Sequence, residues 1–139
     1  MTSIIDGKSI AKEIEFELTK KISQMPKAPK LSVVQVGDDP ASASYIKAKA
    51  NAAERVGIEL THHHLPIDIS ITELEKIVDN LNDSEDGLII QLPIPKKLEK
   101  VLERVKPEND VDGFHSENLG KLVQGKPGMT PCTPAGIIE

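Results

Sequence analysis

Leu31-Ser32-Val33-Val34-Gln35-Val36-Gly37-Asp38-Asp39-Pro40 decides the fold. An apolar run of strand length closes on a glycine and two acids, and a proline then opens a different pattern. Ala41 to Val56 holds six alanines and no internal glycine or proline, so the segment predicts a helix with Asp38-Asp39 as capping acids and Pro40 in the first turn. Upstream, Ile10, Ile14, Leu18 and Ile22 recur at helical spacing between Ser9 and Gln24, and Pro26 to Pro29 breaks that pattern before the strand. Downstream, Gly57 is a candidate C-cap and Ile58 to Leu65 reads as a second strand. Asp68 to Leu81, with Leu74, Ile77, Val78 and Leu81, reads as a helix. Gly87-Leu88-Ile89-Ile90-Gln91-Leu92 reads as a third, central strand.

The order β-α-β-α-β predicts an α/β fold, a three-layer α/β/α sandwich with a mostly parallel sheet. Ligands in such sheets bind beyond the carboxyl ends of the strands, where Gly37-Asp38-Asp39 and Gln91-Leu92-Pro93 both fall. Lys96 to Val105 predicts a short helix, and Glu108 to Pro134 has little periodicity and reads mainly as loop. Thr133-Pro134 looks like the N-cap and first position of a final helix.

With 139 residues, 38% hydrophobic and 28% charged, the chain suits one compact domain. It has no apolar stretch of spanning length and no signal-peptide pattern, so the expected setting is the cytoplasm, with no membrane partner. Cys132 is the sole cysteine, which excludes a disulfide framework and a multi-cysteine zinc site. A net charge of -5 with one Tyr, two Phe and no Trp argues against a nucleic-acid surface.

Tyr45 and Lys49 stand four apart on the predicted helix, so an aromatic ring and an amine share one face. Such a pair can hold a flat ligand and move a proton, or can be surface and packing residues. To accept a proton near neutral pH the lysine must first lose one, which burial beside a cationic or aromatic ligand favours. Gln91, a polar amide ending an apolar strand, must find partners. Asp110 and Asp112 either build a turn or offer a carboxylate to the paired N–H donors of a heterocycle. In a strand, His62 and His64 share one face and His63 the other, with no third ligand to complete a metal site. Cys132 between prolines reads as a small packed thiol. Tyr-x-x-x-Lys also occurs in short-chain dehydrogenases, but no G-x-G-x-x-G is present here, and that reading is rejected.

Taken together, Ser42-x-x-Tyr45-x-x-x-Lys49, Gln91-Leu92-Pro93-Ile94-Pro95, Asp110-Val111-Asp112-Gly113-Phe114 and Pro131-Cys132-Thr133-Pro134-x-Gly136 resemble the bifunctional methylenetetrahydrofolate dehydrogenase/methenyltetrahydrofolate cyclohydrolase family. The resemblance implies Lys49 as the catalytic lysine, Tyr45 stacked on the folate, Gln91 orienting Lys49, and Asp112 on the pterin. It further implies that Ser42, Ile90, Leu92 and Pro93 complete the substrate pocket. No metal is implied. It implies a folate-binding catalytic domain over residues 1–134, with 135–139 starting the helix that leads to an NADP-binding domain lying beyond this sequence. The full-length protein would then be a homodimer using NADP, and these 139 residues alone would show little or no dehydrogenase activity, in an oligomeric state left open.

Overall fold

A computed structural model describes residues 5–139. The chain runs α1 (Gly7–Ile22), β1 (Lys30–Val36), α2 (Pro40–Val56), β2 (Glu59–Leu65), α3 (Ile71–Ser84), β3 (Gly87–Ile90), a 3-10 helix (Lys96–Arg104), α4 (Ser116–Val123) and α5 (Cys132–Ile138). The three strands form one parallel sheet in the order β2-β1-β3, with helices on both faces. The α/β architecture is the one expected.

Alternation along β1 builds the two faces. Val34 and Val36 join Leu88 and Ile90 of β3 and pack against Leu74, Val78 and Leu81 of α3 and Leu98 and Val101 of the 3-10 helix. Val33 and Ile89 point the other way, onto Ile46 of α2. Outside α2 lies α1, which joins it through Arg55, whose guanidinium donates to both carboxylate oxygens of Glu15 at 3.0 and 2.6 Å.

Local chemistry sets the boundaries. Gly37 takes φ 79° at the turn out of β1, and a Cβ there would come within 2.7 Å of Ile67. Asp39 caps α2 by accepting from the Ser42 amide at 2.7 Å, with Pro40 in the first turn. Gly57, at φ 87°, ends the helix with its N–H on the Ala53 carbonyl. Ser70 and Glu73 form a capping box that starts α3 later than the sequence suggests.

Two expectations are refined and two are corrected. Segment 96–105 is a 3-10 helix, and its core residues Leu98 and Val101 stand three apart, the period of that helix. β3 is not central: β1 is, and the outer side of β3 is met by a single parallel bridge from Leu88 to Asp110. Segment 108–134 is mainly irregular as expected, but α4 forms within it behind His115, whose Nδ1 accepts from the Glu117 amide. The last helix begins at Cys132 behind Pro131, so Thr133 and Pro134 lie inside it.

Candidate active site

A cleft of about 300 Å³ opens at the carboxyl end of the sheet, lined by Tyr45 and Lys49 of α2, Gln91 and Leu92 after β3, Asp112 and Phe114, and Pro131 to Pro134. A larger hollow of about 550 Å³ lies around the opposite, amino end of β1 and is lined by Met25 to Lys30, Glu59, Ser84 and Asp86. Open-sheet ligands bind at the carboxyl end, and the converging polar side chains are there too, so the smaller cleft is the candidate site.

Its geometry starts from one carbonyl. The Leu92 carbonyl accepts from the Gln91 side-chain amide at 2.9 Å and from the Ser42 hydroxyl at 3.2 Å. With its nitrogen so used, Gln91 turns Oε1 toward Lys49, whose ammonium donates to it at 3.2 Å. The Asp112 carboxylate stands on the other side of that ammonium, 3.7 Å away. Lys49 is therefore held between a neutral acceptor and an anionic one, with its side chain 32% exposed and Asp112's 17%. Tyr45, one turn earlier on α2, is 66% exposed and lines the same cleft.

The structure thus gathers Tyr45, Lys49, Gln91, Leu92 and Asp112 into one cleft, with Ser42 buried behind it. Pro93 follows the cleft wall across a cis peptide bond. Ile90 is placed elsewhere: its side chain belongs to the core on the α3 face and does not line the cleft. Phe114, Thr133 and Pro134 line the cleft although no site role was drawn for them from the sequence. Their signal was present in the Asp-Val-Asp-Gly-Phe and Pro-Cys-Thr-Pro motifs.

The two acids separate. Asp110 is buried, its Oδ2 accepting from the His115 amide at 2.8 Å and the Asn118 side chain at 3.0 Å, whereas Asp112 faces the cleft. Gly113 follows at φ 69°, and a Cβ on it would lie 2.7 Å from the Pro131 nitrogen, so the 110–114 loop and the 130–134 segment are in direct contact. Cys132 donates to the Val111 carbonyl at 3.0 Å. Burial, then the nearby Asp112 charge, pushes its thiol above the ordinary range, the opposite of an activated nucleophile.

The three histidines divide by face. The rings of His62 and His64 stack 5.9 Å apart, their Nε2 atoms on Gln35 Oε1 and the Gly37 carbonyl, and His63 meets Ser32 on the other side. Among the described residues no three His, Cys, Asp or Glu side chains group as a metal site, and no helix is long and apolar enough to cross a membrane.

An open α/β sheet whose carboxyl end presents a lysine between an amide and a carboxylate, beside an exposed tyrosine, defines an α/β domain with a candidate catalytic or ligand-binding cleft. The chain belongs to the tetrahydrofolate dehydrogenase/cyclohydrolase family, whose catalytic-domain model matches residues 5–112. It is 44% identical over 144 residues to the bifunctional protein FolD of Bacillus pumilus, covering 99% of this chain and 51% of that protein. The 5,10-methylenetetrahydrofolate dehydrogenase of the silkworm, Bombyx mori, superposes with a TM-score of 0.93 at 38% identity, over 99% of this chain and 50% of that one. The methylenetetrahydrofolate dehydrogenase-cyclohydrolase of Trypanosoma brucei, solved with NADP cofactor and an inhibitor, gives 0.89 at 30% identity, over 99% of this chain and 50% of its own. The chain thus spans about half the length of the curated relatives it matches.

Proposed function

We propose that these residues form the folate half of a bifunctional enzyme that oxidises 5,10-methylenetetrahydrofolate to the methenyl cation with NADP and hydrolyses that cation to 10-formyltetrahydrofolate. The observation that carries the reading is the Lys49 ammonium, 3.2 Å from Gln91 and 3.7 Å from Asp112 in a cleft that Tyr45 lines. Tyr45 stacks on the folate ring system, and Asp112 takes its amino and ring N–H donors, which fixes the reacting carbon near Lys49. A cationic folate beside Lys49 favours the neutral amine, and Gln91 holds that amine toward the carbon. Lys49 then relays protons as water adds to the cation and the ring opens. Leu92 and Pro93 shape the floor through the carbonyl that Ser42 and Gln91 share.

The residues present do not fit NADP. No glycine-rich phosphate loop occurs in the sequence, and at the turn into α2 the side chain of Ile67 occupies the space over Gly37. Hydride transfer is therefore assigned to a longer, homodimeric, cytoplasmic form carrying a nucleotide-binding half.

Two measurements test the reading. Calorimetry on the 139-residue chain with 5-formyltetrahydrofolate is expected to show saturable one-site binding, and absence of any would sink the folate assignment. A spectrophotometric assay of the same chain with methylenetetrahydrofolate and NADP is expected to show little turnover, whereas rates near those of a full-length relative would place hydride transfer within these residues.

A further inference from the structure

Asp110 and Asn118 are buried polar side chains outside the cleft, bonded to each other at 3.0 Å. Asn118 also donates to the Pro107 carbonyl at 2.8 Å, and Asp110 also accepts from the His115 amide at 2.8 Å. The backbone of Asp110 bridges to Leu88 of β3, and the Gly113 amide returns to the Asp110 carbonyl at 3.1 Å. One residue therefore joins β3 through its backbone and the start of α4 through its carboxylate, and Asp112 stands two residues along the chain. The charge-assisted bonds of a buried carboxylate are the strong kind, and they are costly to leave unmade.

We propose that Asp110 is a positioning residue, whose buried bonds to Asn118 and His115 hold Asp112 against Lys49 in the geometry that receives the ligand. The placement of Asp112 is a property of the unliganded chain, while its consequence for folate rests on the function proposed above. Besides the Asp110 bonds, the 110–115 loop is located by the Gly113–Pro131 contact, the Cys132 thiol, the packing of Val111 on Val33, Ile46 and Ile89, and the His115 ring 3.5 Å from Glu103. Loss of the Asp110 bonds thus loosens the stretch that carries Asp112, the acid that faces the ammonium.

Carbodiimide activation of the intact 139-residue chain tests this without any ligand. It joins a carboxylate to an amine with loss of water, and the Lys49–Asp112 amide is read by peptide mass spectrometry. Asp110→Ala is expected to lower that yield roughly tenfold, the size of a shift from one dominant loop arrangement to a minority. Asp110→Asn keeps an acceptor oxygen and the shape, and is expected to restore most of it. Wild-type yield in Asp110→Ala overturns the proposal. So does equal loss in both variants in step with loss of the thermal transition, because Asp110 would then serve only the fold. Affinity for 5-formyltetrahydrofolate is expected to follow the cross-link across the three proteins. If the cross-link behaves as stated but wild type binds no folate, the positioning role stands and the folate reading is what fails.

Discussion

On the α3 face of the sheet, Val34, Val36, Leu88 and Ile90 meet Leu74, Val78, Leu98 and Val101 in a continuous apolar core. On the α2 face the buried apolar set is Val33, Ile46 and Ile89, and the same layer holds Gln35, Ser42 and Lys49. The first face supplies most of the burial that stabilises the domain; the second gives up apolar contact to polar groups with assigned partners. Stability and chemistry are thus divided between the two sides of three strands, and substitutions on each should fail in different assays.

The largest expected effect is on the α2 face. In a longer form with a cofactor half, Lys49→Met should lower cyclohydrolase and dehydrogenase turnover by ~10²–10⁴-fold, the usual worth of a positioned proton-transfer group. Its thermal midpoint should stay close to wild type, and unchanged kinetics would reduce the lysine to a counter-charge in a binding module. On the α3 face, Leu74→Ala should cost ~2–5 kcal/mol in urea unfolding, as a fully buried leucine leaves a cavity. Folate affinity per folded molecule should be unaltered, and a parallel loss of affinity would break the division of labour. Tyr45→Ala removes an exposed ring, so calorimetry should show up to about tenfold weaker folate binding from lost stacking, with stability within ~0.5 kcal/mol of wild type.

The smallest effect concerns pH. Burial first, then the charges of His64 and His63, hold His62 below its ordinary 6.5. The unfolded chain therefore binds that proton more readily, so the stability His62 contributes is complete above 6.5 and is lost as pH falls through the depressed value. Carboxylates such as Asp39 and Asp79, held low by Ser42 and Arg104, titrate further down. His62→Gln should flatten the fall of the thermal midpoint as pH drops below 6.5, and an unchanged slope would assign the sensitivity to another group.

The turn from β1 into α2 was legible because glycine, capping acid and proline each act within a few residues. So was the alternation that splits Val33 from Val34. α4 was not: its Leu119, Leu122 and Val123 have helical spacing, but all three are exposed, so they form no buried stripe for a periodicity argument to find. The helix at 96–104 was legible but its pitch was not, because its apolar pair Leu98 and Val101 fits either period. Of the site, Tyr45 and Lys49 follow from helix geometry, and the family motifs pointed to Gln91 and Asp112. Which acid of Asp110 and Asp112 turns inward depends on Asn118 and His115, which bond it from the next helix, and local spacing carries no record of that.

Gly113 has a dynamic consequence. Its backbone touches Thr130 and Pro131 so closely that no side chain fits between, and Cys132 bonds back to Val111. The stretches that carry Asp112 and Thr133 are therefore one cooperative unit, and amide exchange in the two should slow together when a ligand enters. Any breathing of the cleft is then a single motion of that unit against α2, so the width a ligand meets is set by one coordinate.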